Sequence, residues 1–323
     1  MKDMHRSFAL LLLCIAAGTL SAAAQQPENA LKQYQGKILV LRHPLQSSSQ
    51  QYDADGHVLN HEAEGPWTVY GGILIDKVAV RPDQLRIQGR RILFHFAGHE
   101  LKASTMSKPR HIEPPFPPSV KLEIALAHPL DSVEQVRTVF GRVFALNATD
   151  LLNTLPEFWR RYLGDGLVYD AEAQPEKFNW QGGVKPPKAE PPAWVQAKSP
   201  EQLVQATSLE QPVENPEQIK KDDDDIANVF KLGRGVDAPK AKSTPEPEFT
   251  EIARYEKYPG TVVVNVVVGT DGNVHRIRLV RALGLGLDEA AESRVKTWRF
   301  DPAMREGKPV AVEMNIEVSF NLY

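Results

Sequence analysis

From Gly36 onward the hydrophobic positions fall first into a strand register. Lys37 to Arg42, Trp67 to Val80, Gln84 to Ile87 and Arg91 to Ala97 are dense in β-branched and aromatic residues, which predicts four strands. Asp53-Ala54-Asp55-Gly56, Glu64-Gly65-Pro66 and Gln88-Gly89 punctuate them with residues suited to reversals. Beyond the prolines 114, 115, 117 and 118, Val120 to Ala125 alternates again, and then the period changes. Val133, Val136, Val139 and Phe140 recur at steps of three and four within Asp131 to Phe144, with Asp131 or Ser132 as cap, and predict a helix. Leu151, Leu152, Leu155, Phe158, Trp159 and Leu163 predict a second helix that must accommodate Pro156 near its start or kink there. Residues 28–170 therefore read as a β-rich α+β domain, whose role the pattern does not define.

Between Gln181 and Lys242 the periodicity dissolves. Pro186-Pro187, Pro191-Pro192, Pro200, Pro212 and Pro216 lie among Lys, Glu and Gln, with too few apolar residues to offset the entropy of ordering. Residues 181–242 read as a proline-rich, semi-extended linker; at about 3.1 Å per residue, roughly sixty residues reach on the order of 180 Å. Asp222 to Asp225 reads as solvated charge, because calcium loops space their ligands around a tight turn. Val229 to Leu232 reads as a short strand belonging to the C-terminal module.

Residues 244–323 regain periodicity. Pro247 suits a first helical turn, and Phe249, Ile252 and Ala253 share a face that ends before Tyr258-Pro259-Gly260. Thr261 to Val268 and Val274 to Val280, joined through Thr270-Asp271-Gly272-Asn273, predict a β-hairpin. Leu287, Ala290, Ala291, Arg294, Val295 and Trp298 predict a helix, with Asp288 and Glu289 placing negative charge at its start. The last segment alternates strictly. Val310, Val312, Met314, Ile316, Val318 and Phe320 fall on one face, and Ala311, Glu313, Asn315, Glu317 and Ser319 on the other, the pattern of a half-buried strand. Helix, hairpin, helix and strand make a small antiparallel sheet with two helices on one side, so the whole chain is α+β. Such a sheet has an edge whose main-chain N–H and C=O groups accept an extended peptide.

Several of these pieces resemble a known family. Pro247-Glu248-Phe249 with Ala253-Arg254, Gly260-Thr261-Val262, Asp271-Gly272-Asn273-Val274, Leu287-Asp288-Glu289-Ala290-Ala291, Trp298-Arg299-Phe300-Asp301-Pro302-Ala303 and Gly307-Lys308-Pro309-Val310 occur in the order found in the TonB family C-terminal domain. The resemblance implies a periplasmic module that takes up an extended segment of an outer-membrane β-barrel transporter beside its last strand. Here that strand is Val310 to Phe320. It further implies an N-terminal helix meeting an inner-membrane proton-driven motor, and a proline-rich spacer. The spacer is present, but a domain intervenes before it and the N-terminal apolar run lacks a histidine. Coupling of energy to transport is the leading expectation; a periplasmic adaptor without force transmission, or a ligand-binding envelope protein tethered by this module, are the alternatives.

The N-terminus bears on that choice. Lys2 and Arg6 precede an apolar run from Phe8 to Leu20, and Ser21-Ala22-Ala23-Ala24 has the small residues of a cleavage site, so residues 1–24 read as an export signal. The alternative is a retained inner-membrane anchor; roughly seventeen residues to Ala24 lie at the short limit for a hydrocarbon core of about 30 Å. Leu13 stands before Cys14 where lipid attachment needs a small residue. Cys14 is the sole cysteine, so a chain cut near Ala24 or Gln25 has neither disulfide nor thiolate metal site. A formal net charge of −3 gives no electrostatic reason to expect nucleic acid as partner.

Candidate chemistry is sparse. His57 and His61, and His95 and His99, have four-residue spacing. The second pair, however, lies in or just beyond a predicted strand, where four residues span about 13 Å and cannot share one ion. Gly284-Leu285-Gly286 precedes a helix but lacks the third glycine and lysine of a phosphate loop, and reads as a connection. There is no Gly-x-Ser-x-Gly elbow and no carboxylate pair set apart from the surface acids. Trp67, Tyr70, Trp159, Trp180 and Trp194 are read as core in preference to a sugar- or peptide-binding surface. The chain thus reads as a binding protein with no catalytic residue, cofactor or metal.

Overall fold

The computed structural model describes residues 27–60, 62–98, 100–107, 113–164, 167–172, 180–181, 228–233 and 235–322. The segment read as a signal, most of the linker, His61, His99 and Trp194 lie outside them. The chain is α+β and divides into two compact units, one drawn from ranges 1–92, 116–154 and 169–178, the other from 93–115, 155–168 and 179–323.

The first unit contains helix α1 (27–32), strands β1 (Ile38–Leu41) and β2 (Ser49–Tyr52), helix α2 (Trp67–Tyr70), β3 (Gly72–Val80) and the first part of β4 (Gln84–Ala97). To these β6 (Ser119–Ala125), α3 (Val133–Val143), β7 (Phe144–Ala145) and α4 (Ala148–Thr154) are added. Its sheet runs β2-β6-β4-β3-β1-β7, antiparallel except where β2 lies parallel to β6. Leu39, Ile73, Ile75, Leu85, Ile87 and Leu122 are fully buried in it, as are Val136 and Phe140 of α3, and Tyr34 stacks on Phe140 at 4.1 Å. Ser132 caps α3 by accepting from the Gln135 N–H.

Two sequence expectations change here. Trp67 to Tyr70 is a turn of helix rather than the start of a strand. Pro66 enters it at φ −53°, the Gly71 N–H returns to the Trp67 carbonyl, and the turn buries Trp67, Thr68 and Val69. Burial thus overrides the β propensity of these residues. Gln88-Gly89 is not a reversal, and β4 runs straight through it. A Cβ at Gly89 would lie 2.5 Å from both the Ile73 side chain and the Leu74 carbonyl, so glycine there serves the close approach of β3.

Arg91 anchors the loop before β2. Its side chain is buried, and the guanidinium donates to the carbonyls of Leu45, Gln46, Ser47 and Tyr70 at 2.6–3.0 Å while lying over the rings of Tyr70 and Phe116. Burial lowers its pKa to about 10, which leaves it charged at neutral pH.

The second unit takes residues 93–97 of β4 together with β5 (Glu100–Thr105), α5 (Glu157–Leu163) and β8 (Trp180–Gln181). Pro156 divides the long predicted helix into α4 and α5 and stands at the N-cap of α5. Three short strands follow: β9 (Phe230–Lys231), β10 (Val236–Asp237) and β11 (Lys240–Ser243). Next come α6 (Glu251–Tyr255), β12 (Gly260–Val268), β13 (Val274–Arg281), α7 (Leu287–Val295), β14 (Arg299–Asp301), β15 (Ala303–Arg305), β16 (Lys308–Val310) and β17 (Val312–Phe320). The principal sheet is ordered β13-β12-β17-β9. As its central apolar run implies, β12 is buried from Val262 to Val268.

Residues from the earlier ranges complete this unit. The Phe96 N–H donates to the Leu283 carbonyl at 2.8 Å, the Leu285 N–H to the Phe94 carbonyl at 3.1 Å, and the Tyr258 hydroxyl to the Phe96 carbonyl at 2.9 Å. Trp159 of α5 is fully buried, stacks on Phe96 and donates its indole N–H to Glu289 of α7 at 2.7 Å. The pair Gly284 and Gly286 is the expected connection, with an added role. At φ +86°, a Cβ on Gly284 would stand 2.4 Å from the Phe94 carbonyl, so only glycine admits the neighbouring backbone. Asp288, also fully buried, accepts from the N–H groups of Leu283 and Gly284 and ties this loop to the helix start.

Candidate functional site

The expected docking strand divides unevenly. Val310 belongs to β16, opposite Ala303, and Ala311 lies between strands, whereas Val312 to Phe320 form β17. Along β17 the alternation is as expected: Val312, Met314, Ile316, Val318 and Phe320 are buried, Glu313, Asn315 and Glu317 are partly covered and Ser319 is exposed. Burying side chains of this size stabilises by roughly 1.5–3 kcal/mol each, which fixes the register: a one-residue slip would turn all five outward. Phe320 is held further by Phe249, whose ring meets it edge-on at 5.8 Å.

One side of β17 is fully paired. Val312 to Phe320 run antiparallel to Val268 to Gly260 without a break in register. On the other side β9 is the only strand that pairs with it among the described residues, in parallel, at Val312 with Phe230 and Glu313 with Lys231. The Phe230 N–H donates to the Ala311 carbonyl at 2.8 Å, so the main-chain groups of Ala311 face away from β12. Successive residues of an antiparallel strand aim their N–H and C=O to opposite sides. The same outward direction therefore belongs to Glu313, Asn315, Glu317 and Ser319. Past Glu313, the N–H and C=O groups of Asn315, Glu317 and Ser319 form a row with no strand beside them among the described residues.

The outward side chains are organised by β12 and β13. Glu313 pairs with Arg276 at 3.1 Å, Asn315 accepts from the Asn265 amide at 2.9 Å, the Ser319 hydroxyl lies 3.3 Å from that of Thr261, and Arg281 stands 3.9 Å from Glu317. Burial pushes the Glu317 carboxyl above its usual range, and Arg281 acts against that. These cross-strand pairs hold the side chains flat over β12 and leave the strand's open side to its backbone.

Beside this edge the 228–237 segment makes a turn that the sequence signals only through Gly233 and Gly235. Phe230 lies under the Arg305 guanidinium at 4.8 Å, and Val236 pairs with Arg305 across the β10–β15 ladder. The strand expected at Val229 to Leu232 is reduced to Phe230–Lys231. Nothing in the pattern singled out Arg305, because its role depends on a chain segment about seventy residues away.

The other candidates take ordinary places. His57 bonds to Asp53 at 3.0 Å on the surface, and His95 is a strand residue whose ring meets Tyr258 edge-on. Among the described residues no three His, Cys, Asp or Glu side chains gather as a metal site, and no helix is long and apolar enough to cross a membrane. Trp67 and Trp159 are core, and Tyr70 is half-buried.

Known proteins place the module. Residues 245–322 match the family described as Gram-negative bacterial TonB protein C-terminal. Protein TonB of Vibrio cholerae serotype O1 is 32% identical over 78 residues, 24% of this chain; the chain spans about a third of that relative's length. A solution NMR structure of the Pseudomonas aeruginosa TonB C-terminal domain is 20% identical, covers 30% of this chain and 96% of its own, and superposes with a TM-score of 0.25. The segment 245–322 is a TonB C-terminal domain.

Proposed function

We propose that this chain is a TonB-type cell-envelope protein. Its C-terminal domain binds an extended periplasmic segment of an outer-membrane β-barrel transporter by adding it as a strand to β17, in support of energy-coupled transport. The observation that carries the reading is the asymmetry of β17, paired along its whole length to β12 and on its other side, among the described residues, only at Val312 and Glu313. An added strand would satisfy the outward groups of Asn315, Glu317 and Ser319, while its own side chains alternate between the buried row of β17 and the polar pairs opposite. Nothing in this arrangement calls for a cofactor, and the protein acts by binding rather than by catalysis.

Binding of peptides copied from the periplasmic N-terminal segments of outer-membrane transporters of the same cell tests the docking mode. Glu317→Pro removes an outward N–H and is expected to weaken binding at least tenfold, whereas Glu317→Ala leaves that N–H in place and binding near the parent value. Undiminished binding by a folded Glu317→Pro protein would refute strand addition.

The cleavage-like residues Ser21 to Ala24 favour a second reading, a periplasmic adaptor with the same docking edge and no link to a motor. The intact mass of protein from fractionated cells separates the two. A species beginning near Gln25 supports the adaptor, and a full-length species in the inner-membrane fraction supports coupling to a proton-driven motor.

A further inference from the structure

We infer that β9 is a built-in end stop that limits the docked segment to the stretch of β17 from Met314 to Phe320. The inference rests on strand addition to β17 as proposed, and adds to it the length of the partner and the residues that set it.

Three observations place the stop. First, β9 already occupies the outward side of β17: the Phe230 N–H is bonded to the Ala311 carbonyl, and Lys231 lies opposite Glu313. An incoming strand cannot use those groups while β9 holds them. Second, the chain leaves the edge immediately afterwards. Gly233 at φ +95° and Gly235 at φ +81° adopt conformations that other residues rarely take, and the turn they make closes with a bridge between Gly233 and Val236. Continued in its own direction, β9 would run along the rest of β17; the glycines prevent this, and no other strand among the described residues lies beside the remainder. Third, one residue fixes both sides of the turn. Arg305 lies over the Phe230 ring before the glycines and pairs through its backbone with Val236 after them.

The stretch left open, Met314 to Phe320, is seven residues. At about 3.3 Å per residue it accepts a strand of about 23 Å. A longer peptide meets Leu232 at one end and runs past the end of β17 at the other, so further residues add no ladder bonds.

Peptides from the same transporter segments, trimmed to five, seven, nine and eleven residues, test this with the full chain. Affinity for the parent protein is expected to rise up to seven residues and change less than twofold beyond. Phe230→Pro removes the N–H that holds β9 to Ala311 and leaves the core of the domain untouched. In this variant the rise should continue, with about a fivefold gain from seven to nine residues. Phe230→Tyr, which keeps both the N–H and the ring, should behave as the parent. Continued gain in the parent beyond seven residues, or an identical plateau in Phe230→Pro, would overturn the end stop while leaving strand addition intact. Failure of every length to bind either protein would remove the docking reading, and the end stop with it.

Discussion

The Trp159 indole N–H donates to Glu289 Oε1 at 2.7 Å, while Oε2 of the same carboxylate is sealed from solvent with no partner among the described residues. A residue of α5 and a residue of α7, 130 positions apart, thus share a half-satisfied carboxylate inside the second unit. Burial raises its pKa from 4.5 to about 7, opposed by the indole donor.

Because that folded value exceeds the unfolded one, the group's contribution to stability is complete below about pH 4.5 and is lost as pH rises through about 7. Unfolding midpoints in urea should therefore fall between pH 6 and 8 by an amount worth roughly 1–2 kcal/mol. Glu289→Gln should remove most of that slope. A variant with the parent's pH dependence would show that Glu289 does not titrate there.

Proline scanning of β17 should give an alternating result. Met314, Ile316 and Val318 direct their N–H groups to β12, so Ile316→Pro is expected to cost about 3 kcal/mol or more and disrupt the sheet. Asn315→Pro and Glu317→Pro should leave the thermal midpoint much closer to the parent. Equal destabilisation at odd and even positions would contradict the assignment of the outward row.

Gly284→Ala places a Cβ against the Phe94 carbonyl and strains a positive φ at once. The nearest atoms are all backbone of Phe94 and His95, with no flexible side chain to yield, so a loss of about 2–3 kcal/mol is expected in chemical denaturation. Ala at Gly36, which also has a positive φ but open space around it, should cost less.

In the first unit, Arg91→Met would take the guanidinium donor from the carbonyls of Leu45, Gln46, Ser47 and Tyr70, of which Leu45 and Ser47 would keep the Gln50 amide. The expected loss is about 3 kcal/mol or more, and Arg91→Lys should recover only part of it, because an ammonium cannot reproduce the planar fork. Circular dichroism during urea unfolding measures both.

What the sequence discloses and what it hides divide along a physical line. The alternation from Val312 to Phe320 and the valines of β12 are legible because each side chain's face is set by local periodicity. Thr250 capping α6 through the Ala253 N–H is likewise a local event. Gly89 and Trp67 are misleading for the converse reason: glycine suggests a turn until β3 is known to lie 2.5 Å from its missing Cβ, and a β-branched run suggests a strand until the helical turn after Pro66 buries it. At the edge formed by β17, the strand itself could be read from pattern. The clamp of Arg305 on Phe230, and the part that Trp159 plays in the unit containing the TonB-type domain, depend on tertiary contacts that leave no periodic trace.

The bond between Tyr258 and Phe96 spans 162 positions, and it has a consequence for the order of assembly. A chain emerging from its N-terminus exposes the tip of β4, with Phe94 and Phe96, well before Leu283 and Leu285 exist to pair with it. Closure over such separations is slow compared with local hairpin formation. The tip is therefore an adhesive apolar surface during biosynthesis, and a chaperone that shields extended hydrophobic segments would find its binding site there until the last eighty or so residues arrive.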